Sequence, residues 1–298
     1  MKNFKERLSG GLLFVDGAMG TQLMAKDVHP GICNDYLNIE SPEIIGEIHR
    51  SYFEAGSDAV YTNSFGANEI ALARHNLGNK LEEINAAAAK IAKKAAESVG
   101  GEKYVIGDIG PCGDFLQPLG TLEPDKLRAV FAKQAKALYN AGVDGFVVET
   151  FMAIDEAIVA VEGVKSVCKL PVFVSLSYDW GNDDFRTMMG ATVEQEVSIF
   201  SDLDVDAIGF NCGTLKMEQY LHLTEKFVKL LKGKKVSVLA KPNGGKPELI
   251  NGKAVYRLAG EEFGDWAAKI HEAGAVIIGG CCGTSPAHIQ AMTKKLKV

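Results

Sequence analysis

Among the 298 residues there is no stretch of about 20 apolar residues, so no segment is expected to span a bilayer. A signal-peptide pattern is also missing. The short apolar run in MKNFKERLSGGLLFVDGAMG (1–20) breaks at Asp16 without an h-region or cleavage pattern, and the expected location is cytoplasmic. Positive charge is not concentrated anywhere: 32 Lys and Arg stand against 38 Asp and Glu, a formal net charge of −6, with no basic stripe interleaved with aromatics. That balance argues against nucleic acid as a partner. The lysine-rich KLLKGKK (229–235) reads as a solvated helix end, where cations suit the helix dipole. There is no G-x-S-x-G elbow and no G-x-G-x-x-G between a strand and a helix, and the GGKP at 244–247 lacks the ending of a P-loop. Serine-hydrolase, dinucleotide and P-loop chemistry therefore fall away.

What the chain does have is an ordinary globular composition, 47% apolar and 23% charged, and eight short apolar runs. These are LLFVDG (12–17), AVYTNSFG (59–66), YVIGDIG (104–110), GFVVET (145–150), PVFVSLSY (171–178), AIGFNCG (207–213), VSVLAKPNGG (236–245) and VIIGGCCG (276–283). Between them lie segments with helical periodicity. In 41–56 Ser41 can cap, Pro42 takes the first helical position and Gly56 can end the helix; 123–142, 153–167 and 261–274 repeat the plan. Near-continuous apolar strands separated by helices mark parallel strands buried on both faces. Eight such units predict an α/β fold, a (β/α)₈ TIM barrel formed as a single domain over 1–298. Three connections, 17–41, 110–124 and 244–260, are longer than usual, and all follow strand C-termini, the rim where barrel active sites lie.

On a barrel the strand ends share one mouth. That placement gathers Asp16, Thr62, Asn63, Asp108, Glu149, Asn211, Cys212, Lys241, Asn243, Cys281 and Cys282. Cys212 ends the sixth strand and the Cys281–Cys282 doublet ends the eighth, so three thiolates can point at one Zn²⁺ and leave a tetrahedral position for a substrate. By spacing alone the alternative stands equally, since free cysteine is often a small buried hydrophobe, and Cys33, Cys112 and Cys168 are assigned to such a role or to loops. A disulfide between neighbours would need a distorted peptide. The histidines His29, His49, His75, His222, His271 and His288 fall away from the rim and are given no metal role. Asp108, Asn211 and Asn243 either orient a ligand or satisfy strand-end backbone.

DGAMGTQL (16–23), TNSFGAN (62–68), GDIGPCG (107–113), ET (149–150), GFNCG (209–213), KPNGGKP (241–247) and GGCCGT (279–284) together resemble the homocysteine S-methyltransferase family. The likeness covers nearly the whole chain, with a motif at almost every strand end. It is nearest to the N-terminal homocysteine-binding module of cobalamin-dependent methionine synthase. The resemblance implies a (β/α)₈ barrel with Zn²⁺ held by Cys212, Cys281 and Cys282. It also implies that Asp16 and Glu149 hold the ammonium of homocysteine, and that the Gly17 N–H and the Thr62 hydroxyl take its carboxylate. Uncharged donors for one end and anions for the other suit a zwitterion.

The implied reaction is methylation of homocysteine to methionine at a thiol held as its anion, with methylcobalamin presented by a separate protein as the favoured donor. S-methylmethionine, S-adenosylmethionine or a betaine are the alternatives. The sequence runs to Val298 with no corrinoid-binding or folate-binding region after the barrel motifs. The resemblance therefore implies corrinoid-binding and folate-binding partner proteins, a longer parent chain, or a stand-alone enzyme with a diffusible donor. The 244–260 loop is expected to cover the site or meet such a partner. Two rivals remain: a noncatalytic zinc or amino-acid binding module, and a phosphate-handling barrel with Lys241 as a Schiff-base amine.

Overall fold

The computed structural model describes residues 3–29, 31–250 and 253–297, so Met1, Lys2, Pro30, Asn251, Gly252 and Val298 lie outside it. Eight strands form one parallel sheet: β1 (Leu13–Phe14), β2 (Ala59–Tyr61), β3 (Tyr104–Ile109), β4 (Gly145–Phe151), β5 (Val172–Leu176), β6 (Ala207–Asn211), β7 (Ser237–Lys241) and β8 (Ile277–Ile278). Their order is β1-β8-β7-β6-β5-β4-β3-β2, so each apolar run of the sequence becomes a strand beside its sequence neighbours. The helices between strands include Pro42–Glu54, Leu81–Val99, Pro124–Asn140, Ile154–Val167, Val193–Asp202, Met217–Leu231 and Gly260–Glu272, and Pro286–Leu296 follows the last strand. Ser41 makes no side-chain cap, although Pro42 does sit in the first turn.

The sheet closes into a barrel through a seam rather than a ladder. β1 and β2 exchange one backbone bond, Asp58 N to Phe14 O at 2.8 Å, and side chains supply the others. Asp58 Oδ2 accepts from Phe14 N at 3.0 Å, and Asp16 Oδ2 accepts from Tyr61 N at 2.8 Å. A carboxylate expected to face substrate is thus also part of the barrel wall.

Two apolar regions follow from strands that are buried on both sides. Leu13, Val15, Ala59, Ile106, Val147 and Phe173 pack with their neighbours inside the barrel, while a larger core lies between the strands and the helices. A short leading helix, Phe4–Leu8, closes the lower end: Phe4 packs against the rings of Tyr104 and Phe173 at 4.8 and 5.9 Å between centroids. With its floor filled, the barrel is open to ligands at the opposite rim.

The three long connections lie at that rim. The first holds a helix, Met19–Ala25, a 3₁₀ turn and Leu37–Glu40, and the last holds a hairpin, Glu248–Ile250 with Lys253–Val255. A fourth elaboration follows β5, where Tyr178–Gly181 pairs with Asp184–Thr187. Its turn residues Asn182 and Asp183 have φ of 51° and 57°, the left-handed pair that a two-residue type I′ hairpin requires.

Candidate metal and substrate site

The cysteine arrangement begins with backbone. Cys212 follows β6 with φ at 56°, a left-handed conformation uncommon for a residue with a Cβ. Its carbonyl accepts from Tyr220 Oη at 2.6 Å, and its N–H reaches the Lys241 carbonyl at 3.4 Å. This turn aims the thiol across the mouth. At the end of β8, Gly279 presses against β1: a Cβ there would lie 2.5 Å from Val15 Cγ2 and 2.6 Å from the Asp16 carbonyl. The strand can therefore approach β1 closely and deliver the doublet to the rim.

The result is three half-buried sulfurs, Cys212, Cys281 and Cys282, all within 4.8 Å of one another. Cys212 Sγ and Cys282 Sγ are 3.7 Å apart. A tetrahedral zinc with bonds of about 2.3 Å needs sulfurs about 3.8 Å apart, whereas a disulfide needs about 2.05 Å. The donor set thus fits zinc by chemistry and by spacing. The trio shares protons: hydrogen bonds from Cys212 and Cys281 bring the Cys282 thiol down to about 3, while the hydrogen bonds Cys212 donates push its own thiol far up. For Cys281 the hydrogen bond from Cys212 works downward, but its bond to Cys282 and its burial carry it up to about 12. Tyr256, on the last long connection, helps hold Cys282 down, and its ring lies where any side chain on Gly283 would be.

Asn211 ties this cluster to β4. Its Oδ1 accepts from Thr150 N at 2.9 Å and from Ser175 Oγ at 2.8 Å, which leaves Nδ2 to donate to Thr150 Oγ1 at 2.6 Å and to Cys281 Sγ at 3.6 Å. Because the Thr150 amide is only a donor, the network fixes which way the Asn211 amide faces. Thr150 itself has φ of 63°, an outlier for a β-branched residue next to Glu149.

Below the thiols lies a charged layer. Lys241 Nζ meets Asp16 Oδ1 at 3.1 Å and Glu149 Oε2 at 3.8 Å, and stands 3.6 Å from the centroid of the Tyr61 ring. Burial raises Asp16, Asp108 and Glu149, the last to about 7, with Lys241 opposing the rise in each. Burial alone would lower Lys241, but Asp16 and Glu149 outweigh it and hold the ammonium well above the usual lysine range. A Schiff-base lysine has to be neutral to attack, so the amine-nucleophile reading does not fit this pocket.

The other expected residues take separate places. Gly17 is buried and its N–H has no partner among the described residues. Thr62 Oγ1 accepts from Asp108 N at 3.0 Å and lies 2.6 Å from Ser64 Oγ, whose own proton goes to the Asp108 carbonyl. The proton between the two hydroxyls therefore comes from Thr62. Asn63 binds Asn34 and Asn38, and Asn243 braces the Gly213 carbonyl at 2.7 Å, both as wall contacts. Cys33, Cys112 and Cys168 and the histidines lie outside the metal-capable group found among the described residues. Sequence reasoning missed Tyr61, Thr150, Tyr220 and Tyr256; only Tyr61 left a signal, as the inward alternate of Ala59.

A family model for homocysteine S-methyltransferase matches residues 13–296. Methionine synthase of Mycobacterium tuberculosis is 33% identical over 95% of this chain, and that of Mycobacterium leprae is 33% identical over 96%. The chain spans about a quarter of the length of these relatives, 24% of each. Among solved structures, the homocysteine methyltransferase MmuM from Escherichia coli in its metallated form superposes with a TM-score of 0.81 at 22% identity, covering all of both chains. That likeness establishes the (β/α)₈ fold, and the family model with the 33% relatives establishes descent: the chain belongs to the homocysteine S-methyltransferase family.

Proposed function

We propose that residues 1–298 act as one homocysteine-binding barrel that methylates homocysteine on sulfur to give methionine, with a methylcorrinoid as donor. The observation that carries this is the convergence of Cys212, Cys281 and Cys282 to a spacing that suits one tetrahedral metal ion. Zinc held by these residues would keep an incoming thiol ionised at neutral pH, where a free thiol is mostly protonated.

The chain's own groups do the rest. Asn211 Nδ2 donates to Cys281 and keeps that sulfur oriented. The carboxylates beside Lys241, Asp16 and Glu149 with Asp108 next to them, form the anionic end that receives the substrate ammonium. The free Gly17 N–H receives its carboxylate. Thr62 joins only by turning its hydroxyl away from Ser64. The sulfur electron pair then forms the S–CH₃ bond, and the donor's leaving group departs with the pair of the broken bond.

The rim favours a macromolecular donor. Eleven of the twelve exposed large apolar side chains among the described residues lie on connections that follow strand C-termini, Phe65, Phe115, Leu119, Trp180, Met188 and Leu249 among them. An apolar collar around an active-site mouth suits a protein surface better than a small charged donor. The relatives named methionine synthase are about four times longer, room for corrinoid-binding and folate-binding regions, which either partner proteins or a longer parent chain would supply here.

A donor panel tests this. Zinc-loaded protein with homocysteine is offered methylcobalamin, methylated corrinoid protein, S-methylmethionine, S-adenosylmethionine and betaine, and methionine is measured. Turnover with the corrinoid donors is expected. Turnover only with a small donor would overturn the donor assignment, and thiol binding without turnover by any donor would make the barrel a binding module.

A further inference from the structure

Lys241 ends β7 two residues beyond Leu239, an interior residue of the barrel, and so points inward as well. Its partners do not come from the strands beside it. β7 lies between β8 and β6, yet Lys241 Nζ meets Asp16 beyond the end of β1 at 3.1 Å, Glu149 on β4 at 3.8 Å and the face of Tyr61 on β2 at 3.6 Å from the ring centroid. The side chain crosses the mouth and sets a primary ammonium, 3% exposed as a residue, between two carboxylates and an aromatic face. The same groups suit the ammonium of an amino acid.

Two cations cannot share this seat. Asp16 Oδ1 is engaged by Lys241 at 3.1 Å and Oδ2 by the Tyr61 N–H at 2.8 Å. A second ammonium drawn between Asp16 and Glu149 would stand within about 4 Å of Nζ, where like charges repel strongly in a buried pocket. Lys241 also fits the seat imperfectly. Its 3.8 Å ion pair with Glu149 Oε2 is too long for a hydrogen bond, and that oxygen has no hydrogen-bond partner among the described residues. A second seat is at hand in Asp108, which is 6% exposed and whose Oδ1 has no hydrogen-bond partner among the described residues. Burial and then Glu149 raise its carboxyl, and Lys241 is the cation that opposes them.

We propose that Lys241 is an internal stand-in for the substrate ammonium: it holds the seat between Asp16 and Glu149 and yields it to homocysteine by moving to Asp108. Because the lysine already answers the pull of the two carboxylates, it sets how strongly the site prefers an amino-acid thiol over one without the amine. This rests on the homocysteine reading, in which Asp16 and Glu149 receive the substrate ammonium, and deepens it by making Lys241 a specificity-determining residue.

The test compares L-homocysteine with 4-mercaptobutanoate, which keeps the thiol and carboxylate but lacks the amine. Calorimetry on the zinc-loaded full chain gives the Kd of each for wild type, Lys241→Met and Lys241→Gln, with a thermal melt on each variant to confirm folding. Wild type should prefer homocysteine by less than about tenfold, a comparison that needs no variant. In either variant the substrate ammonium is the one cation left for the seat. Homocysteine should then bind about 10- to 100-fold tighter than to wild type, the range for a charged hydrogen bond, while 4-mercaptobutanoate binds no tighter. Homocysteine should also raise the melting temperature of the variants more than that of wild type. A larger preference in wild type, weaker homocysteine binding in a folded variant, or an unchanged ratio of the two dissociation constants would overturn the proposal and make Lys241 a fixed part of the wall. Failure of wild type to bind either thiol would instead overturn the homocysteine reading, and this assignment with it.

Discussion

Tyr220 Oη donates to the carbonyl of Cys212 at 2.6 Å, pinning a residue that stands at φ 56°. A side chain in the left-handed region costs about 1–2 kcal/mol, and this hydrogen bond helps hold it there. Tyr220→Phe should let Cys212 relax and weaken zinc binding about 10- to 100-fold, the usual loss when a partner behind a metal ligand is removed. Competition against a chromophoric chelator measures it. Wild-type affinity in the variant would mean that other contacts fix the Cys212 turn.

Cys282 is held as a thiolate by hydrogen bonds from Cys212 and Cys281, which keep their own protons. Zinc must therefore displace two protons, and its affinity should rise about 100-fold per pH unit near neutrality. Calorimetry in buffers of different ionisation enthalpy counts the protons directly. Cys281→Ser should release the metal and abolish methionine formation; retained zinc with full turnover would refute the ligand assignment.

Glu149 is raised to about 7 by burial, against the pull of Lys241. Below pH about 4.5 it is neutral in folded and unfolded chains alike. From there to pH about 7 the unfolded chain ionises while the folded one keeps its proton, so stability falls as pH rises, and above about 7 the penalty is complete. Glu149→Gln should therefore stabilise the protein above pH 7, by on the order of 3 kcal/mol with the pull of Lys241 already counted in the shift, while raising the KM for homocysteine. Urea unfolding at pH 5 and pH 8 gives the first quantity; an equal effect at both pH values would contradict it.

Gly279→Ala places a methyl group against Val15 and the Asp16 carbonyl, both under 3 Å away. Overpacking of this kind costs about 1–3 kcal/mol, and the shift would be felt at Asp16 and at the cysteine doublet together. A lower denaturation midpoint accompanied by weaker zinc binding is expected. Loss of stability with intact metal affinity would show that β8 can move without carrying Cys281 and Cys282.

The sequence by itself determined the barrel and picked out the three cysteines proposed as metal ligands. Burial on both faces writes each parallel strand as a local apolar run, as in GFVVET, and a vicinal cysteine doublet after such a run is legible without coordinates. The hairpin at 178–187 escaped because the strand pattern runs on through Tyr178, and only the left-handed pair Asn182–Asp183 marks the turn. Tertiary structure alone decided how the polar groups are spent. Asp16 and Lys241 are 225 residues apart, yet their contact, with the Tyr61 amide, engages both oxygens of a carboxylate expected to meet substrate, while Asp108 Oδ1 has no hydrogen-bond partner among the described residues. Apolar patterning is local, but hydrogen-bond saturation depends on which distant atoms arrive within about 3 Å, and no spacing along the chain records that.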